Sequence, residues 1–166
     1  MIVGMSTSTF TTLHVVISLT GIVSGAVVLF GMLSDRRLEG WTVLFLATTV
    51  LTSVTGFLFH SASFGPPQVV GGMSLVILTI TIAALYVFRL AAFWRLAYIL
   101  GAVTALYLNA FVGVVQAFQK LSLLQPLAPT QSEPPFLVSQ LVVLAIFVAL
   151  GVGAVKRFHP SMSAPT

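Results

Sequence analysis

The stretch ALYVFRLAAFWRLAY, residues 84–98, decides how many times this chain can cross a bilayer. It lies inside an apolar segment running from Gln68 to Phe118. That segment is too long for one membrane helix, which needs about 20 residues to span. Only Arg89, Trp94 and Arg95 interrupt it. Arginine and tryptophan belong at the headgroup level rather than in hydrocarbon, so the reading is two helices joined by a tight hairpin. Working outward on both sides of that turn, apolar runs predict spans over residues 12–33, 41–60, 68–88, 96–118 and 136–155. An outer loop over 119–135 and a tail over 156–166 complete the chain. The expectation is an all-α integral membrane protein, a compact bundle of five transmembrane helices forming one domain over 1–166.

Composition supports the class. The chain is 58% hydrophobic and 6% charged, where soluble domains carry about 25% charged residues. The sequence pI near 10.2 rests on seven Lys+Arg against three Asp+Glu, gathered at the ends of apolar runs. It therefore points to orientation rather than to nucleic acid. Arg36, Arg37, Arg89, Arg95, Lys156 and Arg157 fall on one side of a five-span topology, and Lys120 alone on the other. The positive-inside rule then predicts the N-terminus outside and the C-terminus in the cytoplasm, with Trp41 and Trp94 at the cytoplasmic interface. The opening MIVGMSTSTFTT has neither a basic start nor a small-residue cleavage site, and is expected to be a short tail rather than a cleaved signal peptide. The small, compact chain suggests a bacterial inner membrane.

The absence of cysteine excludes disulfides, thiolate metal sites, c-type haem attachment and iron–sulfur clusters. No HExxH helix, GxSxG elbow or phosphate-cradling glycine loop is present, and GVGAV at Gly151 lies within an apolar span, where glycine serves packing. The predicted spans hold no Asp, Glu, Lys or Arg in their interiors, which disfavours proton-coupled transport. An enzyme is not expected.

Polar groups that do lie in the spans gather in the outer half. His14, Ser18, Gly21 and Gly25 repeat at helical offsets on the first span. His60, Gly56, Ser53 and Thr49 repeat the same offsets on the second, counted inward. Lys120, Gln116, Gly113 and Asn109 make a third stripe on the fourth span, with Asn109 about 16 Å below Lys120 at the helical rise. Gln140 and Gln68 lie in the same leaflet. Small residues let membrane helices approach, so the two histidines head seams expected to face protein. His14 and His60 are then candidate haem or metal ligands, and Ser18, Gly56, Asn109, Gly113, Gln116 and Gln140 candidate lining of a ligand pocket. The plainer roles are interfacial hydrogen bonding for the histidines, interhelical hydrogen bonding for Asn109 and Gln116, and packing for the small residues. A zinc or copper site would need a further ligand, for which Glu133 in the outer loop is the only candidate.

The pairing of His14 with His60 resembles the cytochrome b561 type of membrane cytochrome, in which paired histidines on neighbouring helices hold haem. The inner-leaflet pair of such proteins is missing here, and His159 lies in the tail. The resemblance implies haem b with His14 and His60 as axial ligands. Against that stand two other readings. One is a non-catalytic accessory subunit or small-molecule-binding membrane protein with a polar pocket in the outer leaflet, which is the expectation adopted. The other is an oligomeric channel for a small neutral solute lined by Thr48, Thr52 and Thr55. Expected partners are the lipid bilayer and either a second copy of the chain or a larger membrane complex, with no role for nucleic acid. The proline-rich outer loop, with Pro126, Pro129, Pro134 and Pro135, is either a constrained tether for the fifth span, a lid over the outer site or a docking surface.

Overall fold

A computed structural model describes residues 4–59 and 65–160, and among these every regular element is helical. Ser6 opens α1 (Thr7–Leu33) by accepting the Thr9 N–H at 3.1 Å, the usual duty of a serine N-cap. The chain then turns through Asp35 into α2 (Glu39–Gly56). After the undescribed residues 60–64, α3 (Pro66–Ile82) begins with the Gly65 N–H bound to Gln68 Oε1 at 3.0 Å. It runs into a π-helical turn over Ala83–Val87. α4 (Phe93–Lys120) is followed by a 3-10 turn at Gln125–Leu127 and then α5 (Pro134–Arg157). α5 starts with proline, whose missing N–H would have had no partner in the first turn.

The segment read as a hairpin from Arg89, Trp94 and Arg95 is a hairpin, though not one built from ordinary turn residues. The π-helical turn leads to Arg89, Leu90 and Ala92, all at positive φ (46, 58 and 45°), with no glycine or proline present to ease that conformation. Phe88 and Trp94 stack in parallel across its base, centroids 3.7 Å apart.

Four helices are long and apolar enough to cross a membrane: Thr7–Leu33, Gln68–Val87, Phe93–Lys120 and Pro134–Arg157. α2 is shorter, 18 residues, or about 27 Å at the helical rise, and it carries Glu39 and several threonines. Those hydroxyls are returned to the helix's own backbone, Thr42 to the Leu38 carbonyl (2.9 Å), Thr48 to Leu44 (2.7 Å) and Thr55 to Leu51 (2.6 Å). Back-bonding of this kind satisfies a hydroxyl without water.

Neighbours in sequence are neighbours in space: α1 packs on α2, α2 on α3, α3 on α4 and α4 on α5, while α1 also meets α4 and α5. The ring is thus closed, with α1 against α4 across its middle. The principal core occupies the end holding six of the seven basic residues. Met32, Phe45, Ile99, Ala105, Ala154 and Phe158 are almost wholly buried there. Close approach depends on two glycines. A Cβ on Gly25 would come within 2.6 Å of Leu106 Cδ1 and 2.8 Å of Phe45, and one on Gly101 would overlap the Thr81 hydroxyl. The C-terminal end of α5 is fastened at the same end: Arg95 donates from Nη1 to the Phe158 carbonyl, and the His159 N–H donates to Asp35 Oδ1 at 2.7 Å. A smaller cluster, Phe118, Ala128 and Phe136, closes the opposite end of α4 and α5.

Candidate functional site

Opposite the dense core, α1, α2 and α4 are joined by side-chain hydrogen bonds. His14 Nδ1 lies 2.8 Å from Thr55 Oγ1, Ser18 Oγ reaches Thr52 Oγ1 at 3.4 Å, and Asn109 Nδ2 donates to Thr49 Oγ1 at 3.4 Å. Gly21 makes room for the third contact. A Cβ there would sit 3.3 Å from each of Asn109 Nδ2, Thr48 Oγ1 and Thr49 Oγ1.

The hydroxyl network bears on the imidazole tautomer. Thr55 has one hydroxyl proton, and the Leu51 carbonyl at 2.6 Å and the Thr52 carbonyl at 3.2 Å compete for it. That favours the hydroxyl as acceptor towards His14, an arrangement in which Nδ1 carries hydrogen and a neutral ring keeps its lone pair on Nε2. No described residue occupies that lone pair. The ring is half-buried, its edge set against Phe59 (centroids 5.1 Å, 84°), with Cε1 3.9 Å from where a Gly56 Cβ would stand. Phe10 packs on the same phenylalanine at 5.1 Å.

Of the candidate residues, the structure brings together His14, Ser18, Gly56 and Asn109. Gly113 lies on the same side of α4, where a Cβ would meet Ile22 of α1 at 3.7 Å. Gln116 is exposed. Gln140 is buried at the α4–α5 contact, where Nε2 donates to the Phe111 carbonyl at 3.2 Å and Oε1 has no partner. His60 lies outside the described residues. Thr55 and Thr52 lie outside the α2 stripe that runs inward from His60, although they sit at the depths antiparallel pairing demands for His14 and Ser18. Thr48, Thr52 and Thr55 are turned to α1 of the same chain.

Among the described residues no group of three or more His, Asp or Glu side chains could hold a metal ion. Glu133 is occupied within its own loop: it accepts from the Thr130 N–H (3.1 Å), the Thr130 hydroxyl (2.8 Å) and the Ser132 N–H (3.0 Å). Desolvation pushes its carboxyl up, but these hydrogen bonds outweigh that and hold it below the usual glutamate value. The loop folds onto α4 and α5, burying Ala128 against Phe118 and Phe136 and donating from Gln131 Nε2 to the Val115 carbonyl at 3.4 Å.

For haem the residues present fit in part. An Nδ1–H fixed by a protein oxygen, leaving Nε2 free, is the arrangement ligating histidines adopt, and the 2.8 Å contact of His14 Nδ1 with Thr55 Oγ1 suits it. No second axial ligand faces His14 among the described residues. No family model, curated protein or solved structure matches this chain, so the site alone carries the functional argument.

Proposed function

We propose that the chain is a five-span membrane protein of the bacterial inner membrane, with its N-terminus outside and C-terminus in the cytoplasm. In this reading it is non-catalytic and binds a small, mainly apolar molecule in the outer half of the bundle. The observation that carries this is the 2.8 Å contact of His14 Nδ1 with Thr55 Oγ1 at the head of a polar seam between α1, α2 and α4, which leaves Nε2 without a partner among the described residues. A neutral imidazole nitrogen in an apolar setting is a strong acceptor. The matching ligand presents a hydroxyl donor on an apolar body, as a quinol or a phenol does. The same lone pair supports a second reading, a b-type cytochrome in which His14 and His60 would hold haem and the haem would supply one-electron transfer. The exposed apolar face of α5, including Val138, Leu141 and Val142, suits lipid, a second copy or a larger complex in which the chain serves as an accessory subunit.

One preparation separates these readings. Histidine-labelled protein examined by 15N NMR, with His14 assigned through His14→Gln, should show a protonated Nδ1 and an unprotonated Nε2. Adding a short-chain benzoquinol should shift the Nε2 resonance, and Thr55→Val should mix the two tautomers. An unprotonated Nδ1, or an Nε2 signal indifferent to the quinol, would overturn the ligand reading. A Soret band lost in both His14→Ala and His60→Ala would establish the cytochrome instead.

A further inference from the structure

A groove of about 480 Å³ runs along the outside of the α4–α5 contact, within the about 300–1,000 Å³ of ordinary ligand sites. Leu100, Val103 and Tyr107 of α4 face Val148, Gly151 and Val152 of α5 across it, and Lys156 stands at its end. The helices touch beneath it because Gly151 has no side chain: a Cβ there would lie 3.3 Å from Val103 Cγ1. Three features define what fits.

The first is length. From Lys156 to Leu144, the far lining residue of α5, is about 18 Å of helix, close to one leaflet's share of the about 30 Å hydrocarbon core. A transmembrane partner helix would need a groove twice as long. The second is the stop at mid-depth. Tyr107 packs on Phe147 (centroids 5.8 Å) and Phe111 (6.2 Å), and beyond them Gln140 ties α5 to the Phe111 carbonyl. The third is charge. Lys156 and Arg157 end α5, while the Arg95 guanidinium binds the last carbonyls of the same helix. The only ion pair among the described residues is Arg37 with Glu39 at 3.5 Å, so Lys156, Arg157 and Arg95 have no acidic partner among them. Basic sites between membrane helices on the cytoplasmic side take anionic lipid headgroups.

We propose that this groove seats one acyl chain of an anionic phospholipid of the cytoplasmic leaflet, with its phosphate on the Lys156 ammonium. The leaflet assignment rests on the topology proposed above, whereas the fit of chain and phosphate does not. Delipidated full-length protein, offered phosphatidylglycerol and phosphatidylcholine of matched chains and read by native mass spectrometry, should retain one phosphatidylglycerol in preference. Lys156→Gln should reduce that preference roughly fivefold, the effect of one surface cation, and Lys156→Arg should keep it. Val148→Trp fills the groove without changing charge and should abolish retention of both lipids. Equal retention of the two lipids by the wild type, or retention unchanged in Val148→Trp, would overturn the site. Because the chain has no cysteine, Ser34→Cys reports topology without background. Its labelling by an impermeant maleimide in intact cells would overturn the cytoplasmic-leaflet assignment, and protection of Ser34→Cys alongside labelling of Leu123→Cys would support it.

Discussion

Replacing Gly101 with alanine is expected to destabilise the bundle, although alanine is the better helix former. Gly101 of α4 meets Thr81 of α3, which is fully buried. The new methyl would overlap the Thr81 hydroxyl and lie 3.2 Å from its Cβ and 3.7 Å from the Ile77 carbonyl. Thr81 cannot simply swing aside. Its hydroxyl donates to that same Ile77 carbonyl at 2.7 Å, a bond worth about 0.5–1.5 kcal/mol, and a β-branched side chain in a helix has few rotamers. Otherwise the helices must separate, with an overpacking cost of about 1–3 kcal/mol. Alanine's helix propensity returns about 1 kcal/mol. Direct overlap with the Thr81 oxygen places the overpacking cost in the upper part of its range, about 2–3 kcal/mol, so the net loss is about 1–2 kcal/mol. Unfolding in mixed detergent and dodecyl sulfate micelles, followed by circular dichroism, measures it. Thr81→Ala removes the oxygen in the way, so Gly101→Ala/Thr81→Ala should recover most of the loss, a coupling of about 1–2 kcal/mol. A Gly101→Ala protein as stable as wild type, or a double variant whose losses merely add, would refute the account of this crossing.

Three further outcomes follow from particular contacts. Ala92 is exposed and holds φ 45°, ψ −117°, a conformation that suits glycine, so Ala92→Gly should raise stability by about 1 kcal/mol in the same unfolding experiment; no gain would show that the turn stores no strain at this residue. Glu133 has a depressed folded-state pKa, so its contribution is complete above the ordinary glutamate value of 4.5 and is lost as pH falls through the depressed value. Amide protection factors at Thr130 and Ser132 should fall over that window in the wild type and show no such step in Glu133→Gln, where protection is already low at neutral pH. Asn109→Leu should cost about 0.6–1.7 kcal/mol, the range for interhelical polar contacts in membranes, and Thr49→Ala should add little in its background; independent, additive losses would mean that the 3.4 Å contact contributes nothing.

The positions of the helices were legible because bilayer length and apolar runs constrain them. Arg89, Trp94 and Arg95 marked the turn between α3 and α4, which falls between Val87 and Phe93. Its construction was not legible, since no glycine or proline announces three positive φ angles; Leu85 and Leu90, on the two sides of Arg89, are both buried in the core. Helical spacing also identified His14, Ser18, Gly21 and Gly25 as one face of α1. What spacing within a helix leaves free is rotation about the axis of its partner. Counting inward from His60 selects Gly56, Ser53 and Thr49 as the α2 seam. In the fold, Thr48, Thr52 and Thr55 turn to α1, Thr49 reaches Asn109 of α4, and the Ser53 carbonyl lies near Gly71 of α3. The same freedom explains Gln116. Phe118 is buried under the outer loop, and a residue two positions away points to the other side of the helix.

The two ends of the bundle are held by forces of different size, and this bears on how a ligand would enter. At the basic end, interlocked core side chains, the Arg95 contacts to the last carbonyls of α5 and the close approaches at Gly25 and Gly101 leave no slack; separating those helices would expose fully buried residues such as Ile99 and Ala105. At the other end, α1 is joined to α2 by two side-chain bonds and α2 to α4 by one. Two of these three are at the long limit of 3.4 Å, and such contacts average about 0.6 kcal/mol in membranes. A molecule carrying its own hydroxyl can exchange those bonds at little net cost while α1, α2 and α4 stay fixed at their opposite ends. Entry would thus spread the polar end without loosening the core, with His14 Nε2 as the first acceptor met. Stiffening that end by Ser18→Ala/Thr52→Val, which exchanges the weak polar contact for apolar packing, should leave overall stability nearly unchanged and slow ligand exchange seen at His14. If the exchange rate did not move, the opening would have to lie elsewhere, and the seam would be structural only.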